Sequence, residues 1–301
     1  DISESTDNLY IALTQFFTLF NEQQKNEFYA TGYSYGGKYI PAIADKIRKE
    51  SNPIINLKGI AVGNGFFDPY TDIAYGPYLY QLSLIDENQK LEFDKKEKEI
   101  QQLIDSERLE DAFWAMDRLI NKGIVTEDTY FNNCTGYNYY YDFLLTNDPI
   151  KSTAMVALLN KAKVHKALHV GKHEFILGGD TNFPVLKPLI SDIMRSVKDI
   201  VVNVLNSDYR VLFYSGNLDI LVAPVFTTRF LNVLDNWKFQ DEYLNSERKI
   251  WRLSPNSNIA GYIKSATNFH FVVIRNAGHM VPFFQPRVMY SLITKFVQNS
   301  I

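Results

Sequence analysis

Gly32-Tyr33-Ser34-Tyr35-Gly36, preceded by Glu27-Phe28-Tyr29-Ala30-Thr31, is the stretch on which the fold turns. Its form, Gly-x-Ser-x-Gly, belongs to a sharp turn that lifts a serine hydroxyl out at the end of a strand and feeds directly into a helix. A side chain at Gly32 or Gly36 is expected to collide where strand and helix approach. At ordinary glycine and serine frequencies a random chain of this length contains the pattern about one time in ten, so the surroundings carry the weight. Upstream lies a β-rich segment. Downstream, Ile40, Ile43, Ala44 and Ile47 recur at helical spacing.

A serine alone is a poor nucleophile, so a base and an orienting acid are needed. In α/β-hydrolases they follow in the order Ser, Asp or Glu, His. Arg210-Val211-Leu212-Phe213-Tyr214-Ser215-Gly216 predicts a buried strand, with Asn217-Leu218-Asp219 in the loop after it. Asn268 through Arg275 predicts another strand, with Asn276-Ala277-Gly278-His279 as its following loop. Both Asp219 and His279 therefore fall just past a strand's carboxyl end, where open α/β sheets place their chemistry. Asp68 also follows a strand and rivals Asp219 on chemistry, although it precedes a helical region. His270 lies within its strand and is expected to be structural.

Five segments, in order, resemble the serine carboxypeptidase family, and within it the vitellogenic-carboxypeptidase-like branch. They are Phe28 through Ala42, Leu57 through Pro69, Val164 through Gly171, Leu218 through Val222, and Gly278-His279-Met280-Val281-Pro282 with Gln285-Pro286. The resemblance implies an α/β-hydrolase fold: a mixed, mostly parallel sheet with flanking helices, one domain over residues 1–301, and a helical cap inserted at about 70–163. It also implies exopeptidase chemistry. Ser34 attacks the last peptide carbonyl, His279 takes and returns the proton, and Asp219 holds the imidazole. The backbone N–H of Tyr35 supplies one oxyanion donor. Loss of one such donor in a comparable site lowers turnover about 100- to 1,000-fold. That figure matters because the family's second donor sits in an upstream Gly-Gly-Pro-Gly-type segment that this sequence lacks. The chain is thus expected to be an N-terminally truncated portion of the domain, with the first strands missing. An incomplete sequence of an ordinary enzyme and a short product with crippled chemistry both fit.

Two further positions carry expectations from the resemblance. Tyr33 stands where the family has a glutamate that helps to bind the substrate's terminal carboxylate; a phenol remains a donor through the physiological range, its pKa being about 10, so carboxylate binding with a weakened acid preference and loss of carboxypeptidase activity both fit. Met280 matches a residue that contacts the leaving amino acid, which implies an apolar preference.

Composition sets outer limits. Of 301 residues, 46% are hydrophobic and 14% aromatic, enough for a substantial core, and the net charge is −3. No basic block suggests nucleic acid or a membrane surface, and no apolar run approaches the roughly 18 residues of a span. No cofactor is expected. Cys134 is the single cysteine, so no intramolecular disulfide can form. Asn133-Cys134-Thr135 is an N-glycosylation acceptor, and with the resemblance it points to the secretory route, ending in a lysosome, a vacuole or the outside. Peptide or protein C-termini are the expected partners. Nothing in the sequence speaks to oligomeric state.

From about Tyr70 to Lys163 helical patterns take over. Glu97 through Ile104 starts one helix, and Leu109, Phe113, Met116 and Ile120 mark the apolar stripe of the next. Asp94 through Glu99 is expected to be a solvated face. Tyr137, Tyr139, Tyr140 and Tyr141 could line a substrate mouth, but packing inside the cap is the preferred assignment. Pro188 opens a helix carrying Ile190, Ile193, Met194, Val197 and Val201. His165, His169 and His173 recur at four-residue spacing, yet Gly171 should end any helix there, and no metal site is expected. Three functional classes stay open: a carboxypeptidase, a triad enzyme with another acyl acceptor or substrate, and a non-catalytic member that only binds.

Overall fold

Strands β1 (Phe28–Tyr33), β2 (Leu57–Gly63), β3 (Arg210–Gly216), β4 (Lys249–Arg252), β5 (Ile259–Ala266) and β6 (Phe269–Ile274) form one sheet ordered β1-β2-β3-β6-β5-β4. This is seen in a computed structural model, which describes residues 1–121, 127–149, 153–176 and 186–301. β1, β2, β3 and β6 run parallel, and β5 and β4 complete the sheet antiparallel. The architecture is that of an α/β-hydrolase. Because side chains alternate across a strand, each central strand feeds two cores. Ile60, Val62, Val211 and Phe213 enter one, while Ala61, Leu212 and Tyr214 enter the other.

Helix α1 (Ile2–Leu19) begins at Asp1, whose side chain accepts from the Glu4 N–H at 2.8 Å. Phe17 is buried, but Leu9, Phe16 and Phe20 are each more than a third exposed, so the helix's apolar side chains are only partly covered. Helix α2 (Gly36–Glu50) follows β1 after a two-residue turn and buries Ile43, Ala44 and Ile47 as its periodicity predicts. Between β2 and β3, all regular elements among the described residues are helical. They are α3 (Pro69–Asp72), α4 (Tyr75–Gln81), α5 (Glu87–Asp105), α6 (Leu109–Met116), α7 (Tyr130–Thr135), α8 (Thr153–Leu159), α9 (Ala162–Leu168), α10 (Ile190–Ile193) and α11 (Lys198–Leu205). Helices α4 to α7 share a core of Tyr75, Leu79, Phe93, Phe113 and Phe131, which Ile220, Val222 and Phe226 join from beyond β3. Helices α8 and α9 bury no residue. After β3 come α12 (Pro224–Asn232), α13 (Gln240–Asn245), α14 (Val281–Phe284) and α15 (Pro286–Val297), which buries Val288, Leu292 and Phe296 beneath the sheet's second face.

Several expectations need correcting. The helix expected from Glu97 starts ten residues earlier, at Glu87, where Asp86 and Gln89 form a reciprocal capping box. The run Asp94 through Glu99 is not wholly solvated: Glu97 is buried, and its carboxylate accepts the Gly76 N–H at 2.8 Å. Gly76 lies in the first turn of α4, whose backbone donors have no intrahelical partner. Burial pushes the Glu97 carboxyl up to about 7. The helix expected from Pro188 to Val201 is broken into a 3₁₀ turn, α10 and α11. The break follows from competing partners: the Val197 N–H donates to the Phe67 carbonyl at 3.0 Å, and the Arg195 carbonyl accepts from Lys38 Nζ. Helix α9 ends at Leu168, ahead of Gly171, with His169 in a left-handed conformation at its C-cap. His165, His169 and His173 therefore share no helix face.

Candidate active site

Four neighbouring parallel strands each deliver one residue just beyond their carboxyl ends: Ser34 after β1, Asn64 after β2, Asp219 after β3 and His279 after β6. Ser34 has φ 57°, a left-handed conformation that disfavours most L-residues by about 1 kcal/mol. Backbone bonds hold it there. Its N–H donates to the Gly63 carbonyl at 3.0 Å, and its carbonyl accepts from Gly37 at 2.8 Å and Phe66 at 2.9 Å. The glycine requirement differs in part from expectation. A Cβ on Gly32 would meet the Ile40 side chain at 2.8 Å, but one on Gly36 would find only ordinary contact at 3.9 Å. Gly37 is the constrained position, since a Cβ there would lie 2.6 Å from the Phe66 nitrogen. The Tyr35 N–H, at the start of α2, has no backbone partner among the described residues, and the helix N-terminus behind it favours negative charge.

Asp219 is fully buried. One carboxylate oxygen accepts the Leu221 N–H at 2.9 Å; the other accepts Asn64 Nδ2 at 2.7 Å and contacts His279 Nδ1 at 2.7 Å. The Tyr78 hydroxyl donates to its backbone carbonyl at 3.0 Å. A carboxylate at Nδ1 keeps the proton on that nitrogen and leaves Nε2 as the basic one. Nε2 is itself buried without a hydrogen-bond partner. The structure thus joins Asp219 to His279, while Ser34 and His279 share no hydrogen bond. Their segments nevertheless converge: the Tyr33 ring meets the imidazole edge-on at 6.1 Å. Resting sites are often loose at this contact and tighten when substrate arrives.

Asn64 is the participant that sequence reasoning missed. It is fully buried with φ 39°, donates to Asp219 and to the Val222 carbonyl at 3.3 Å, and accepts the Gly216 N–H at 3.1 Å. The available signal was Gly63-Asn64-Gly65 at a strand end, asparagine being among the few residues tolerant of positive φ. Tyr141, assigned to packing within the cap, also reaches the site: its ring stacks on the imidazole with centroids 4.7 Å apart.

The other candidates sit as follows. Tyr33 is 52% exposed beside the site. Met280 is half-buried at the N-cap of α14. Asp68 lies at the N-cap of α3, its carboxylate accepting from the Thr71 hydroxyl at 2.9 Å. His270 Nδ1 contacts the Ser265 hydroxyl at 2.7 Å inside the sheet, and burial lowers its pKa. Asn133 is exposed near the end of α7. No group of three or more His, Cys, Asp or Glu side chains placed to hold a metal occurs among the described residues.

Beneath the serine turn lies a buried polar cluster. Lys38 is wholly buried and faces Asp192, Asp72 and Asp68. Burial pushes its ammonium down to about 8 and the Asp72 carboxyl up to about 8. One Asp72 oxygen accepts from Phe67 at 3.1 Å and Asp68 at 3.2 Å, which ties the cluster to the loop that bonds the Ser34 carbonyl.

Comparison with known proteins gives the lineage. The serine carboxypeptidase family model, peptidase family S10, matches residues 1–299. The venom serine carboxypeptidase of Apis mellifera is 41% identical over 296 residues, covering 97% of this chain and 62% of that protein. The probable serine carboxypeptidase CPVL of Homo sapiens is 40% identical over 96% of this chain and 61% of its own length. The vitellogenic carboxypeptidase of Aedes aegypti is 36% identical over 98% and 62%. The chain therefore spans about three-fifths of the length of these relatives. The crystal structure of Kex1(delta)p, a prohormone-processing carboxypeptidase of Saccharomyces cerevisiae, superposes with a TM-score of 0.79 at 20% identity, covering 99% of this chain and 68% of that one; at this identity the likeness is one of fold. By its sequence, this chain belongs to the serine carboxypeptidase family.

Proposed function

We propose that this chain carries the nucleophile, base and acid of a serine-type carboxypeptidase that releases C-terminal amino acids from peptides. The observation that carries the proposal is the buried Asp219–His279 contact of 2.7 Å, with Nε2 left unpartnered on the side away from the carboxylate. His279 Nε2 removes the Ser34 proton as Oγ attacks the scissile carbonyl carbon. Negative charge develops on the carbonyl oxygen, and the Tyr35 N–H at the start of α2 donates to it. The imidazolium, stabilised by Asp219, then protonates the leaving amine as the peptide C–N bond breaks. Water repeats the sequence on the acyl-enzyme and returns Ser34.

The same proposal covers the finer assignments. Tyr33, exposed beside the imidazole, offers its hydroxyl to a substrate carboxylate, and Met280 favours an apolar leaving residue. Residues 1–301 form one hydrolase domain, with a cap inserted at about 70–163 that includes residues outside the described ones. Passage through the secretory route to a lysosome, a vacuole or the outside accords with family membership and with an exposed Asn133 as glycan acceptor.

Labelling by a fluorophosphonate probe tests the core of the proposal. We expect one label on Ser34, lost in Ser34→Ala and strongly slowed in His279→Gln. Absence of label in a cooperatively folded chain overturns it. Turnover of a free-carboxylate peptide against its amide and an ester then separates a carboxypeptidase from another acyl-transfer enzyme. Equal rates on all three argue against carboxylate recognition.

A further inference from the structure

Within the helical insertion between β2 and β3, one short stretch, Tyr140 to Phe143, touches both catalytic loops. The His279 N–H donates to the Tyr141 carbonyl at 2.7 Å. The Ile220 and Leu221 N–H groups, immediately after Asp219, donate to the Tyr140 carbonyl at 3.1 and 3.2 Å. The Phe143 N–H donates to the Leu218 carbonyl at 2.9 Å. Approach is so close that a Cβ on Gly278 would stand 2.1 Å from the Tyr141 carbonyl oxygen. The Tyr141 ring then lies nearly flat on the imidazole, at 4.7 Å and 22°.

We propose that Tyr141 is a positioning residue for His279: its ring face fixes the plane of the imidazole, its carbonyl holds the His279 backbone N–H, and the Tyr140–Phe143 strap joins the acid loop to the base loop. The inference rests on the assignment of Ser34, Asp219 and His279 under the proposed function. Asp219 restrains the imidazole at one atom only, Nδ1, about which the ring can still swing. A flat aromatic contact removes that freedom, so Nε2 is presented at a fixed height over the sheet edge. A π face also interacts more favourably with a cationic than with a neutral ring. The ionisable groups around His279 are Asp219 in contact with Nδ1, Tyr33 edge-on at 6.1 Å, Tyr141 on the face, and Asp142, whose Cβ packs against Gly278. Of these, only Tyr141 covers a face of the ring.

The test compares Tyr141→Phe with Tyr141→Leu, using fluorophosphonate labelling and peptide turnover as functions of pH. The phenylalanine variant keeps the face and should stay within about 2-fold of the parent, with an unchanged profile. In the leucine variant, kcat should fall about 10- to 100-fold with KM little altered, as expected when a near-attack geometry is lost. A leucine variant that matches the parent in kcat overturns the proposal, as does a phenylalanine variant that is equally impaired. Ser34→Ala and His279→Gln are run alongside. If they retain label or turnover, the triad assignment itself fails; if they lose it while Tyr141→Leu is unaffected, only the positioning role fails. Should Tyr141→Leu not fold, Tyr141→Met fills the same space without a π face and takes its place. Should neither fold, NMR of the parent decides. Ring-current-shifted His279 protons, assigned by their loss in His279→Gln, support the stack, and unshifted ones refute it.

Discussion

Replacing Asn64 by aspartate exchanges one amide for one carboxyl, at a position where the amide nitrogen donates to Asp219 at 2.7 Å and the amide oxygen accepts from Gly216 at 3.1 Å. Asn64→Asp keeps the shape and the second bond, so its effect falls on the first. While the introduced carboxyl is protonated, its O–H replaces the amide donor and the Asp219–His279 pair stands as before. Once it ionises, two carboxylates face each other at hydrogen-bond distance. Even at an effective dielectric constant of 20 the repulsion is about 6 kcal/mol, equivalent to about 4 pH units. One proton is therefore held by the pair well above the usual carboxylate range, and its loss belongs to the pair rather than to either residue. The assay is the rate of fluorophosphonate labelling from about pH 5 to 8.5, with melting curves at both ends. The ratio of variant to parent should lie within about 3-fold of unity at the acid end and fall roughly tenfold per pH unit once the shared proton leaves. A ratio that stays flat over the whole range, in a folded variant, refutes the claim that the Asn64–Asp219 bond holds the acid in place.

Three other substitutions probe separate parts of the structure. Glu97 is held up to about 7 by burial, against an ordinary value of 4.5. The neutral form is therefore favoured by folding, and its contribution is complete below about pH 4.5 and lost as pH rises through 7. Glu97→Gln keeps an acceptor for Gly76 and should flatten the fall in stability over that window, gaining at most about 3 kcal/mol at pH 8 in urea titrations; parallel pH dependences in the two proteins contradict this. Lys38→Met removes the buried cation facing Asp192 and leaves the Arg195 carbonyl without its donor, and should destabilise the chain by about 1–3 kcal/mol. Adding Asp192→Asn should recover part of that, and strictly additive losses would disprove the coupling. Gly37→Ala sets a methyl 2.6 Å from the Phe66 nitrogen, all the nearest atoms being backbone. It should cost about 1–3 kcal/mol and slow labelling of Ser34; an unaltered labelling rate shows that the turn does not depend on this approach.

Much of this was legible in the sequence, for identifiable reasons. Parallel strands are apolar on both faces, so β2, β3 and β6 stand out as apolar runs, the first two ending in glycine, and the glycine-bracketed serine marks the edge on which the loops gather. What escaped was decided by partners far away in the chain. Nothing local distinguishes Glu97 from Glu99; burial of the first depends on the arrival of Gly76. The apolar spacing of Ile190, Met194, Val197 and Val201 continues unbroken through a helix that ends twice, because Lys38 and Phe67 claim its backbone groups. Those four side chains are buried all the same. Periodicity reported their burial correctly and the hydrogen bonding between them incorrectly. Asn64 and Tyr141 follow the same rule, since each matters through a contact with Asp219 or His279 that no local pattern encodes.

The two halves of the candidate triad are held in physically different ways. Asp219 and His279 are fixed by side chains and carbonyls converging from β2, from α4 and from the Tyr140–Phe143 strap, and Asn64, Asp219 and His279 are themselves buried, where charge-assisted bonds are strongest. Ser34 follows β1, which pairs with β2 and with no other strand among the described residues. Its left-handed turn is kept by three backbone hydrogen bonds and two tight glycine contacts, with no side chain gripping the hydroxyl. The base is therefore sensitive to polar substitutions spread over the insertion and the loops, whereas the nucleophile is sensitive to added bulk within a few residues of itself. A closed Asp–His pair beside a Ser–His pair that shares no hydrogen bond accords with that division, because the first contact is secured by partners that come from several elements and the Ser34 hydroxyl has none among the described residues.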